Sequence, residues 1–96
     1  MQRNKALEML RQLKPQLCEQ FGVERLALFG STARDSATES SDVDILVRFS
    51  GKADPDRYFG AQFLLEDNFG CGIDLVMESA VREEFKPSIF RDLIDV

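Results

Sequence analysis

The chain has 96 residues, 44% hydrophobic and 30% charged, the balance of a soluble globular protein with one modest core. It contains no histidine, which excludes a Ser-His-Asp triad, a Cys-His pair and any histidine-ligated zinc, and leaves proton transfer to carboxylates, water or substrate. A net charge of −5 without any Lys/Arg run argues against long nucleic acid as a ligand. No apolar stretch approaches a membrane span, and Met1 to Glu8 lacks the apolar run of a signal peptide, so a cytoplasmic protein is expected. Cys18 and Cys71, far apart and without metal spacing, read as reduced core thiols.

The elements are expected as follows. Leu7, Leu10, Leu13, Leu17 and Phe21 recur at helical spacing over about Arg3 to Phe21, with a kink or break near Lys14 because Pro15 follows, and a stop at Gly22. Val23 to Phe29 is a strand, and Ser31 to about Ser36 a short helix. The polar loop Ala37-Thr38-Glu39-Ser40-Ser41 leads into a second strand, Asp42 to Phe49. Asp54-Pro55 reads as a cap followed by proline at the first helical position. That helix carries Phe59, Phe63 and Leu64 inward to about Asn68, ahead of Gly70. Ile73 to Met77 is the third strand. The tail from Val81 is helical, reset at Pro87, with Ile89, Phe90, Leu93 and Ile94 on its apolar side. The order α-β-α-β-α-β-α implies an α/β two-layer fold with a small mixed sheet, one domain over residues 1–96.

The chemistry concentrates where strands end. Gly30-Ser31 follows the apolar run Leu26-Ala27-Leu28-Phe29, and after ten intervening residues Asp42-Val43-Asp44 opens the run Ile45-Leu46-Val47. Gly-Ser at a strand-to-helix turn offers backbone N–H groups and a hydroxyl to a phosphate. Asp42 and Asp44, two apart in a strand, project from one face, and paired hard oxygen ligands suit Mg²⁺ shared with substrate phosphates. The pattern reads as a metal-dependent nucleoside-triphosphate site; turn-and-cap aspartates are the bland alternative. Asp74 lies inside an apolar strand, where a carboxylate is costly unless exposed, paired or metal-bound. If its strand neighbours Asp42–Phe49, three carboxylates share a face and suit two divalent ions; otherwise Asp74 faces water on an edge. Arg34, three residues after Ser31, offers a planar fork to a β- or γ-phosphate, or is a surface arginine. Tyr58 reads as half-buried on its helix rather than functional.

Gly30-Ser31, the ten-residue spacer, Asp42-x-Asp44 and Asp74 resemble the polymerase-β-type nucleotidyltransferase superfamily. Phe29-Gly30-Ser31-Thr32-Ala33-Arg34 and Ser41-Asp42-Val43-Asp44-Ile45-Leu46-Val47 are closest to its minimal nucleotidyltransferases, many of them antitoxins paired with HEPN ribonuclease toxins. The resemblance implies that Asp42, Asp44 and Asp74 are catalytic and bind two Mg²⁺ ions, that Asp74 helps deprotonate the nucleophile, and that Gly30 and Ser31 hold the triphosphate of ATP. It implies transfer of AMP to a tyrosine hydroxyl of a HEPN toxin, as the antitoxin of a type VII toxin–antitoxin system. The alternatives are an inactive antitoxin that masks the toxin, and nucleotidyl transfer to a small molecule. One position departs from the pattern: Asp35 stands where the family usually has glycine after the arginine, a negative charge near the expected phosphates or one turned to solvent.

Overall fold

The structure is a computed structural model that describes residues 1–38 and 40–96; Glu39 of the expected polar loop lies outside the described residues. Helix α1 runs from Arg3 to Phe21 without a break. Pro15 removes the N–H that would bond the Arg11 carbonyl, but both residues are exposed, so that carbonyl stays open to solvent and the helix continues. Leu7, Leu10 and Leu17 are buried on its inner face, each worth about 1.5–3 kcal/mol relative to exposure. Gly22 ends it in the left-handed region (φ 69°), where its N–H bonds the Cys18 carbonyl at 3.0 Å.

Strand β1 (Val23–Phe29), the four-residue helix α2 (Gly30–Ala33) and strand β2 (Val43–Phe49) follow. Helix α2 is shorter than the expected run to Ser36, and the Asp42 end of β2 lies just outside the ladder. Helix α3 (Pro55–Phe69) starts as expected: the Asp54 carboxylate accepts from Arg57 N–H at 2.8 Å, a cap worth about 1 kcal/mol. Gly70 closes it at φ 68°. Strand β3 (Ile73–Met77) leads through two single 3₁₀ turns into helix α4 (Lys86–Arg91) and the short strand β4 (Ile94–Asp95).

The sheet is mixed, in the order β3-β2-β1-β4: β2 runs parallel to β3 and antiparallel to β1, and β4 pairs antiparallel with β1. One face, carrying Leu26, Leu28, Val43, Ile45 and Leu75, packs against α1 and α3. The opposite face, with Ala27, Phe29 and Leu46, is partly covered by Ile89, Phe90 and Leu93. Among the described residues no helix is long and apolar enough to cross a membrane.

Three expectations are corrected. Helix α3 buries Ala61, Leu65 and Phe69, while Phe59 and Phe63 are 52% and 63% exposed; Leu64 is partly buried. The inner stripe runs at intervals of four residues, and Gly60 beside it lets α3 sit against the Phe21 ring, which a Cβ there would strike. The tail does not stay helical: α4 is short, and Ile94 leaves it to pair with Leu28 across the free edge of β1. Ile89, Phe90 and Leu93 do face a core, the second one. Finally, Cys18 is exposed on the outer side of α1, while Cys71 is partly buried.

Candidate active site

Strand pairing assembles the site. The ladder sets Phe29 opposite Asp44 and Asp44 beside Asp74, so the end of β1 and the starts of β2 and β3 converge. Strand alternation puts Asp44 on the face of Leu46, and Asp74 on that of Val76, away from α1 and α3. The expectation that β3 neighbours β2 is met. β3 is also an edge strand with Asp74 exposed, so its carboxylate stays wet while lying next to Asp44.

Asp44 is partly buried. Burial, then Asp74, then Asp42 push its carboxyl up to about 6, and Arg34 pulls the other way. The cause is physical: a carboxylate losing water beside two like charges holds its proton longer. Asp42 is exposed, one residue before β2.

Two glycines make room for these carboxylates. Gly30 sits at φ 73°, and a Cβ there would collide with the Asp44 carboxylate and approach its Cγ at 2.9 Å. Gly72 lies one step before the Val43–Ile73 pair, and a Cβ there would strike the Asp42 carboxylate. Gly72 was not singled out by sequence, because nothing links it to Asp42 until the parallel register is known. Ser31 follows Gly30 in α2, two residues beyond the Phe29–Asp44 pair.

Arg34 closes α2 and is half exposed, with Nη1 3.1 Å from the Asp92 carboxylate. It is thus ion-paired toward α4, yet near enough to Asp44 to oppose its rise. Asp35 takes φ 59°, the left-handed conformation that glycine adopts freely and that aspartate tolerates better than most residues. Its carboxylate accepts from the Arg3 N–H at 3.1 Å. Helix α1 has no side-chain cap of its own at Gln2, so Asp35 supplies one from 32 residues away. Tyr58 is half-buried, as expected, and its hydroxyl donates to the Leu75 carbonyl at 2.5 Å, tying α3 to β3.

The donor set is all oxygen and all carboxylate, which fits Mg²⁺ rather than a thiolate- or imidazole-seeking metal. Among the described residues no three such side chains close around a single point.

A nucleotidyltransferase-domain family profile matches residues 10–96. A candidate protein adenylyltransferase of Methanocaldococcus jannaschii is 41% identical over 90 residues, covering 93% of this chain and 92% of the relative. The protein adenylyltransferase MntA of Thermococcus cleftensis is 36% identical over 83 residues, 86% of this chain and 84% of that protein. A solved structure described as a candidate minimal nucleotidyltransferase superposes with a TM-score of 0.83 at 29% identity, over 100% of this chain and 97% of the other. The fold is also that of a solved complex between a tri-AMPylated Shewanella oneidensis HEPN toxin and an MNT antitoxin, with a TM-score of 0.60 at 19% identity, over 97% of this chain and 66% of the other. A family match over nearly the whole chain, on a fold that brings the Gly-Ser turn against the Asp-x-Asp strand, makes this protein a nucleotidyltransferase, a member of the nucleotidyltransferase-domain family in its minimal form.

Proposed function

We propose that this enzyme is a Mg²⁺-dependent protein adenylyltransferase that moves AMP from ATP to a tyrosine hydroxyl of a HEPN-domain toxin in the cytoplasm, and so acts as the antitoxin of a type VII system. The observation that carries the reading is the juxtaposition of Asp44, Asp74 and Gly30 on adjoining strand ends. The names of the relatives support protein adenylylation, and the MNT–HEPN complex supports the partner.

The Gly30 backbone N–H and the Ser31 hydroxyl donate to phosphate oxygens of the triphosphate. Asp42, Asp44 and Asp74 would hold two Mg²⁺ ions, which when bound supply positive charge to the phosphates and acidify the acceptor hydroxyl. Asp74, exposed at the sheet edge, takes the proton as the tyrosine oxygen bonds to the α-phosphorus. The bond from that phosphorus to the bridging oxygen breaks, and pyrophosphate leaves with the electron pair. Arg34 would exchange Asp92 for a phosphate oxygen. Asp35 does not stand against this reading, since its carboxylate is engaged at the start of α1.

The test is the mass of the toxin. Incubated with a cognate HEPN toxin, ATP and Mg²⁺, the wild type should add AMP to a toxin tyrosine, and Asp42→Asn, Asp44→Asn and Asp74→Asn should each abolish the gain. A toxin neutralised with no mass gain, by wild type and variants alike, would overturn catalysis and leave masking.

A further inference from the structure

The outer face of α3 carries Phe59 and Phe63, one turn apart and both exposed. The helical rise separates them by about 6 Å, so the two rings form one stripe. Phe59 is held in place. Its ring packs edge-on against Tyr58 with centroids 5.3 Å apart, and the Tyr58 hydroxyl is bonded to the Leu75 carbonyl. Beside it opens a hollow of about 310 Å³, lined by Ala53, Asp54, Pro55, Tyr58, Phe59 and Met77. A fixed aromatic ridge next to a mostly apolar hollow suits the apolar side of a partner helix, because little freedom is lost when it is covered.

Charge selects the occupant. Asp56 lies three residues before Phe59, and Glu66 and Asp67 lie three and four after Phe63, so helical spacing puts all three on the aromatic stripe. Among the described residues none of the three joins an ion pair. The one cation of α3, Arg57, is turned to the carbonyls of Phe21, Gly22, Ser50 and Lys52. A second copy of this chain would set the acidic rim against itself, whereas a partner bearing Lys or Arg complements it. The short link of residues 70–72 brings the end of α3 to the start of β3, so the stripe leads toward the sheet end where Asp74 is exposed. We propose that this face docks a basic amphipathic helix of the protein that accepts AMP, with apolar side chains on Phe59, Phe63 and the hollow and basic ones on Asp56, Glu66 and Asp67; the proposal rests on the adenylyl-transfer reading.

The test measures binding and transfer with the HEPN toxin as the probe. Phe59→Ser and Phe63→Ser change exposed rings and should melt close to wild type. Each should weaken toxin binding at least about tenfold in calorimetry, as truncation of an aromatic anchor does. Each should raise the KM for toxin to match, with kcat at saturating toxin and the affinity for Mg²⁺–ATP unchanged. Asp67→Lys should slow association and flatten its salt dependence; Glu19→Lys, the same charge change at an exposed position of α1, should not. Phe59→Ser and Phe63→Ser that bind toxin as tightly as wild type would overturn the surface. Equal effects of Asp67→Lys and Glu19→Lys would overturn the basic partner. A wild-type dimer in sedimentation that Phe63→Ser dissolves would assign the face to a second copy and overturn the proposal. Toxin that binds through Phe59 and Phe63 yet gains no AMP would leave the docking surface standing and overturn the adenylyl-transfer reading alone. Toxin that neither binds nor gains AMP would overturn both.

Discussion

Asp44 and Asp74 stand abreast on parallel neighbouring strands, and among the described residues neither forms an ion pair to offset the other. Their proximity makes the protein's stability depend on pH. The folded-state pKa of Asp44 is raised from 3.8 to about 6, so the folded state binds the proton more tightly than the unfolded chain. Its favourable contribution is therefore fully present below about pH 4 and is lost as pH rises through about 6. Between these values the melting temperature of metal-free wild type should fall relative to that of Asp44→Asn, and above about pH 6 the difference should level off. Parallel curves for the two proteins across this window would show that Asp44 titrates normally.

The two glycines against the carboxylates should respond differently to an added methyl group. At Gly30, Ala must adopt φ 73° and displace Asp44, whose Cβ is 3.1 Å away; Gly30→Ala should cost about 1–2 kcal/mol of stability and most nucleotide binding. At Gly72 the obstacle is the free end of exposed Asp42, which can swing aside. Gly72→Ala should cost less than about 1 kcal/mol and still weaken Mg²⁺–ATP binding. Denaturant titrations and calorimetry of both variants separate the two cases; equal stability losses would place the obstacle at Gly72 in the backbone rather than in Asp42.

Arg57 is the main structural residue that sequence did not reveal. Its guanidinium donates to the carbonyls of Phe21 (2.7 Å), Gly22 (3.2 Å), Lys52 (3.1 Å) and Ser50 (2.9 Å), and lies 5.2 Å from the Phe49 ring centroid. It locks the end of α1 to the turn after β2. Arg57→Ala should destabilise by about 2–4 kcal/mol, since several carbonyls lose a charged donor. Arg57→Lys should recover little, because an ammonium cannot span four carbonyls with a planar fork. Urea unfolding checks both.

At Asp35, a substitution toward the usual glycine should be nearly neutral. Asp35→Gly relieves a left-handed aspartate, worth about 1 kcal/mol, and loses the cap on Arg3 N–H, worth about as much. Asp35→Ala keeps the strain and loses the cap, and should cost about 1–2 kcal/mol. Neither should change ATP affinity by more than about twofold, since the carboxylate is spent on α1. Tighter ATP binding in Asp35→Gly, by tenfold or more, would mean that this charge reaches the phosphates.

Most of the local structure was legible because local chemistry decides it. Val23–Phe29 and Ile73–Met77 are bounded as expected, Asp54-Pro55 opens α3, and Gly22 and Gly70 close helices through positive φ. What escaped depends on distant partners. Helix α3 carries two apolar stripes, and only the depth available above the sheet decides that Ala61 and Leu65 go inward and Phe59 and Phe63 outward. Ile94 continues the apolar period of the tail, but the open edge of β1, more than 60 residues earlier, recruits it into a strand. In the site, the Gly-Ser and Asp-x-Asp spacing could be read from the chain, and Asp74 followed once its strand was taken as a neighbour. Gly72 and the capping role of Asp35 required the register and the position of α1.

The claim that Asp42, Asp44 and Asp74 form a site for Mg²⁺ and nucleotide is tested most directly by four melting curves: wild type and Asp44→Asn, each with and without Mg²⁺–ATP. Ligand that binds only the folded state raises the melting temperature, by an amount equivalent to about 2.7 kcal/mol at a hundred times its dissociation constant. The wild type should show that rise. Asp44→Asn, relieved of repulsion, should melt at or above metal-free wild type near pH 7 and gain much less from ligand. A wild type indifferent to Mg²⁺–ATP, together with a mutant that melts lower, would assign these aspartates to turns and caps and contradict the account.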